Sequence, residues 1–397
     1  MDEVPAGIGA RARYWRIRRR LSQKAVADLA GMSRSYLAMV ESGERPLDRR
    51  SRVAALAKAL RVTAGDLTGA VIPAGDEQLA VAHAALPALR LALLGSTLEE
   101  PADVEPRPLA QLRAETELAD RLVQDSDYAS AAGLLPDLLT ELKVIAARGS
   151  LSQRREALRL LVQAGQAAFY VVKDLGDPGT GYVAAEQIRQ VGQHAEDPAA
   201  EALGAFLLAH ALLPIGAYPR ALRAAERAAG ELQGGTGPAL EVLGMLNLTA
   251  ALTLVSAGDG DTAEDRIAEA QQVARHTGGS NAYGLAFGPV NIALWRMAMA
   301  IERGEGGRAV EIARGVPVAG LQRGRQAAYW TDVGRGLAQA GRDGQALEAL
   351  RRAEDIAPQQ VRTNPMVRDV VAGMVRRARA TTGGPDLLGF AHRLGVA

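Results

Sequence analysis

Six arginines fall within thirteen residues, "IGARARYWRIRRR" (8–20), the densest cluster of one chemistry in this 397-residue sequence. Guanidinium groups at that density neutralise a polyanion. Residues 1–70 hold 14 Lys/Arg against 7 Asp/Glu, and the remainder 32 against 38, so a net charge of +1 conceals a basic head on an acidic body. The charge asymmetry points to a polyanionic partner at the head alone. Only four of the 46 basic residues are lysines, so arginine count by itself decides little. Other chemistry is sparse. There is no cysteine, which excludes disulfides, thiolate metal sites and thiol nucleophiles. His83, His194, His210, His276 and His392 lack metal-ligand spacing. "GEGG" and "GGTG" lack the strand and lysine of a phosphate loop. No catalytic residue, metal site or cofactor is expected.

The elements that position the basic head are short helices. Ile8, Ala12, Trp15 and Ile17 give a helix over 8–20, ended by Leu21. Ser22 caps a helix over 23–30, and Ser33 caps another over 34–42. Gly31 sits where the chain reverses with φ > 0, and Gly43 and Pro46 close the third helix. Val53, Leu56, Ala57 and Leu60 form the stripe of a fourth helix over 49–60, and a short fifth lies near Leu67. Two helices joined at a glycine turn make a helix-turn-helix, whose second helix has the diameter of the B-DNA major groove.

Across residues 8–68 the sequence resembles the phage-repressor-like, or XRE-type, DNA-binding domain, with Gln23, Ala27, Gly31, Ser33, Glu41 and Gly43 at matching positions. The resemblance implies that the recognition helix exposes Arg34, Ser35, Tyr36, Ala38, Met39 and Ser42. Arg34 then pairs with guanine, Met39 or Ala38 touches a thymine methyl, and Ser35 and Tyr36 reach base edges. Gln23, Ser42, Arg45, Arg49 and Arg50 are the implied phosphate contacts, and Glu41 braces the motif from inside.

A connecting helix over 78–94 and the acidic, proline-bearing "GSTLEEPADVEPRP" fill residues 71–108. From 109 to 397, helices alternate with glycine turns: "LGDPGTG", "IGAYP", "QGGTGP", "AGDGD", "TGGSN", "RGEGG" and "AGRDG". Trp330, Val333, Gly334, Leu337, Ala346, Leu350, Ala353 and Pro358 stand at spacings 0, 3, 4, 7, 16, 20, 23 and 28. That spacing resembles the tetratricopeptide repeat. Ala221, Ala263, Ala309 and Ala346 follow at gaps of 42, 46 and 37, marking lengthened copies. About six hairpins over 109–358 and a closing pair at 365–380 and 384–395 are expected. The fold class is all-α: a five-helix head and a right-handed tetratricopeptide-like solenoid.

A head and body of these types resemble the peptide-sensing RRNPP regulators and actinobacterial-type regulators of the same layout. In the peptide sensors, asparagines on the first helices of repeats hold a peptide backbone. Asn247 and Asn291 occupy such positions here, with Tyr283, Phe287 and Trp295 as an adjoining apolar pocket. The implied function is a dimeric, ligand-responsive regulator that binds double-stranded DNA and answers to a peptide or small-molecule effector. A scaffold that recruits a protein partner to DNA is the alternative. The acidic start "MDEVPAG" and the short apolar runs predict a soluble, cytoplasmic protein with no membrane partner.

Overall fold

Ser22 and Ser33 set the first helix boundaries. The Ser22 hydroxyl accepts from the Ala25 amide and the Ser33 hydroxyl from the Tyr36 amide, each at 3.1 Å. A computed structural model describes residues 7–69, 75–277, 281–378 and 384–396, and no strand occurs among the described residues. The head comprises α1 (Ile8–Arg18), α2 (Gln23–Leu29), α3 (Arg34–Ser42), α4 (Arg50–Leu60) and α5 (Ala64–Thr68). Gly31 and Gly43 take φ of 63° and 79°, so each turn uses backbone that side-chain-bearing residues avoid. Ile8, Val26, Leu37, Leu56, Leu60 and Leu67 form the core of the head, and one residue of its packing, Met366, arrives from the far end of the chain.

α6 (Glu77–Leu94) lies against the body. Lys143, almost fully buried, donates to the Ala92 and Ser96 carbonyls at 2.9 and 2.8 Å and so closes the C-terminus of α6. Burial lowers this ammonium to about 8. Residues 95–108 run outside helix, as their prolines require. Six successive helix pairs follow: α7 (Leu109–Gln124) with α8 (Tyr128–Arg148), α9 (Leu151–Asp174) with α10 (Pro178–His194), and α11 (Pro198–Leu212) with α12 (Tyr218–Glu231). Then come α13 (Pro238–Ala257) with α14 (Gly260–Ala274), α15 (Pro289–Arg303) with α16 (Gly306–Ala313), and α17 (Arg323–Gln339) with α18 (Asp343–Ile356). A short α19 (Pro358–Thr363) precedes α20 (Pro365–Ala378) and α21 (Pro385–Arg393). Among the described residues only α13 is long and apolar enough to cross a membrane, and most of it is buried inside the protein.

Six of the seven glycine turns separate helices; "TGGSN" lies partly outside the described residues. Two other turns carry no glycine. There Ser126 and Glu196 adopt φ of 60° and 51°, and the following Asp127 and Asp197 cap the next helix. Interhelix approach is closest at small residues. A Cβ on Gly334 would stand 2.6 Å from Leu350 Cγ, across the α17–α18 pair that carries the tetratricopeptide spacing. Between α10 and α11, Gly192 rests directly on the Glu201 backbone.

The last helices return to the first. Gln359 Oε1 accepts from the Tyr128 and Ala129 amides at the start of α8, 3.0 and 3.1 Å away. Arg362 pairs with Asp76 at 3.0 Å, and Gln322 donates to Gln124 at 3.1 Å. The two ends of the body are therefore sewn together by side chains more than 190 residues apart in sequence.

Gly192→Ala forces a methyl into backbone that cannot swing away, and a loss of about 1–3 kcal/mol in urea unfolding is expected. Gly307→Ala, in α16 with open space at its Cβ, should be neutral or gain up to ~1 kcal/mol through the unfolded chain.

Candidate nucleic-acid interface

Inside the head a single carboxylate ties three helices together. Glu41, buried on α3, accepts Arg16 Nε at 2.6 Å and Nη2 at 2.8 Å in a forked pair, and Gln23 Nε2 at 2.9 Å. The bond to Glu41 raises the Arg16 guanidinium above its ordinary value. Glu41 is thus an internal brace. The Gln23 side chain, expected on a phosphate, is turned inward by the same network, because its amide is the third donor to that carboxylate.

The outer face of α3 is open at its N-terminal end, where Arg34 and Ser35 are exposed. Tyr36, Ala38 and Met39 are half-buried, and the Arg52 guanidinium lies 5.4 Å from the Tyr36 ring centroid. Burial raises the Tyr36 phenol, so it is a neutral donor. Ser42 Oγ donates to the Met39 carbonyl at 3.1 Å and is exposed, as is Arg45. Arg34, Ser35, Ser42 and Arg45 are thus exposed, and Tyr36 and Met39 half-buried, along α3 and the turn that follows it.

The segment that follows is held by the body. Arg376 Nε donates to the Gly43 carbonyl at 2.7 Å, and Arg335 Nη2 to the Asp48 carbonyl at 2.5 Å. Asp369 accepts from the Leu47 amide at 2.6 Å and the Ile8 amide at 3.2 Å. Glu302 accepts from the Arg50 and Ser51 amides at 3.2 and 2.8 Å and from the Ser51 hydroxyl. These carboxylates replace missing caps. The residues before α1 and α4 are Gly7 and Arg49, and neither makes a side-chain cap bond. Asp369 and Glu302, 361 and about 250 residues distant, satisfy the orphan amides instead. Both are nearly fully buried, and burial pushes the Asp369 carboxyl up despite its two amide donors.

Two of the expected phosphate contacts flank this docking. Arg49, half-buried, lies on Gly304 at the C-terminus of α15, the negative end of that helix. Arg50, the first residue of α4, keeps an exposed side chain. No local pattern announced either placement. The one signal was the poor capping residue in front of α1 and of α4.

The five expected ligand residues do not form one pocket. Asn247 is buried within α13. Asn291 is buried too, and its amide donates to the Leu285 carbonyl at 2.9 Å and to Met245 Sδ at 3.4 Å. Phe287 covers Gly244 in the core. Trp295 meets His210 edge-on, 5.4 Å between ring centroids. Tyr283 lines a polar cleft between α7 and α9. Asn247, Asn291 and Phe287 are buried, and Trp295 is half-buried against the core.

Residues 8–70 match the family model described as a helix-turn-helix domain. No curated protein matches the chain. The match covers 63 of the 397 residues, all of them in the head, and suggests a DNA-binding regulator. The match ends at residue 70 and leaves the body unassigned.

Glu302→Ala removes the acceptor for the first turn of α4. Hydrogen exchange at the Arg50 and Ser51 amides should accelerate, with a stability loss of about 1–2 kcal/mol; unchanged protection would show the docking to be dispensable. Burial first, then the charges of Lys173 and Arg50, push His210 down to about 3. Between pH 6.5 and 3 the unfolded chain therefore binds a proton that the folded chain refuses, so this histidine makes stability fall as pH drops through that window. His210→Phe should flatten the slope of urea midpoint against pH there.

Proposed function

We propose that the protein is a sequence-specific transcription regulator that binds double-stranded DNA as a dimer, and that its body is a tetratricopeptide-like solenoid whose effector state sets DNA affinity. The observation that carries this reading is the capping of α1 and α4 by Asp369 and Glu302. A head whose own helices are finished by body carboxylates cannot be indifferent to the shape of the body.

The division of the head supports the same reading. The half of α3 that bears Arg34 and Ser35 is free to enter a major groove, while the backbone of Gly43, Leu47, Asp48, Arg50 and Ser51, which follow the recognition helix, is held by Arg376, Asp369, Arg335 and Glu302. In a dimer, the body also fixes the separation of two recognition helices, and half-sites one turn apart, about 34 Å, tolerate little error. An effector that favours one body curvature shifts the population of DNA-competent dimers. A tenfold preference changes the balance by only ~1.4 kcal/mol, so a sharp response needs stronger discrimination.

Selection of bound genomic fragments followed by gel shifts tests the reading. Arg34→Ala should cost about 1–3 kcal/mol on the selected sequence and relax discrimination at one base pair. Arg45→Ala should weaken all sequences alike and reduce the slope of log affinity against log salt by about 1. Absence of any retarded fragment at low ionic strength would overturn the assignment.

A further inference from the structure

We infer that the polar cleft where the two ends of the body meet is the effector site, and that it takes a small molecule without negative charge, dense in hydrogen-bond donors and acceptors. The inference rests on the ligand-responsive reading above and names the site and ligand chemistry that reading lacks. The cleft holds about 410 Å³ and is lined by Asp120 and Gln124 of α7, Gln163 and Gln166 of α9, Tyr283, and Gln322 just before α17. That volume is in the range of small-molecule sites.

The lining fixes the ligand class. Four glutamines each present one acceptor and two donors on a rotatable amide, which suits hydroxyl or amide groups and gives a lipophilic ligand nothing to gain. Anionic ligands are disfavoured from both sides. Asp120 repels anions, and its carboxyl is itself raised by burial. The Arg325 guanidinium beside the cleft is buried and committed to the Gly284 and Leu285 carbonyls. Within the cleft the amides satisfy one another: Gln322 donates to Gln124, Gln124 to Asp120 at 2.6 Å, and Gln166 to the Tyr283 carbonyl at 3.0 Å. Gln163 has no partner among the described residues. A ligand exchanges these bonds for its own at little desolvation cost.

The same cleft sits on the route to the head. Gln124 and Gln322 bond across the seam between the first and last helix pairs. α17 carries Arg325 near the cleft and Arg335, which grips Asp48, ten residues or about 15 Å further along. α15 carries Asn291 in its first turn, hydrogen-bonded to the same Leu285 carbonyl as Arg325, and Glu302, the cap of α4, in its last. Two helices thus connect cleft and head at opposite ends, and a ligand that parts the seam displaces both grips together.

The test uses the full chain with three probe pools: neutral oligosaccharides, random tetrapeptides acetylated and amidated at their ends, and the same tetrapeptides with aspartate at every second position. One of the two neutral pools should raise the Tm of the wild type by a few degrees near saturation. Gln163→Ala and Gln166→Ala should each weaken that pool at least tenfold, and Gln163, half-exposed on α9, tolerates alanine without disturbing the fold. The oligosaccharide and peptide arms separate hydroxyl from amide ligands. No shift with either neutral pool, a shift that survives both substitutions, or an equal shift with the acidic pool overturns the inference. A cleft-dependent Tm shift that leaves gel-shift affinity unchanged keeps the cleft as the binding site and sinks the regulatory reading. A pool that alters DNA affinity equally in wild type and both variants keeps the regulatory reading and sinks the cleft.

Discussion

Two buried carboxylates, Asp369 and Glu302, hold the head in place, and the architecture depends on them. Each meets backbone amides at the N-terminus of a head helix, where the unpaired N–H groups and the helix dipole favour negative charge. A carboxylate at 5–6% exposure is expensive unless its oxygens are filled. Conversely, amides facing a surface that excludes water need acceptors. Each side therefore requires the other, which explains how few bonds suffice to orient a whole domain. The arginines Arg335, Arg376 and Arg368 complete the joint through the carbonyls of Asp48, Gly43 and Gly69, so the head contributes backbone and the body contributes side chains.

That asymmetry has a consequence for the recognition surface. Backbone contacts leave the head's side chains free, and the exposed Arg34, Ser35 and Arg45 stand clear of the joint. Arg49 is nearer the joint, since it lies on Gly304 at the α15 C-terminus.

The head's own fold was legible because its determinants are local. Ser22 and Ser33 cap as their position demands, Gly31 and Gly43 take positive φ, and α3 runs over the expected residues 34–42. The rhythm of helix pairs was legible for the same reason wherever a turn used glycine. It was silent at Ser126 and Glu196, where aspartate caps did the same work. Tertiary partners were not legible. Gln23 satisfies a residue eighteen positions away, Asn291 a carbonyl in its own entry loop, and Asp369 an amide 361 positions back. Polar residues on a helix carry no mark that distinguishes a ligand contact from an internal one. For Asn291 the deciding fact is burial beside the Leu285 carbonyl, which only the fold creates.

The closing of the body on itself gives this protein its economy of signalling parts. An open stack of helix pairs transmits a local change only to its neighbours. Here Gln359, Arg362 and Gln322 join the last pairs to the first, so a change at the seam is felt at both ends simultaneously. α15 and α17 start at that seam region and end at the head, and a helix is stiff along its axis over the ~15 Å concerned. Displacement at one end must then emerge at the other or be absorbed by the side chains between. Val333, Leu337 and Met297 are buried against neighbours that leave little room for absorption. The packed core therefore acts as the rigid part of the device, and the hydrogen-bonded seams at its two faces, amide to amide at one and carboxylate to amide at the other, are the parts able to exchange partners.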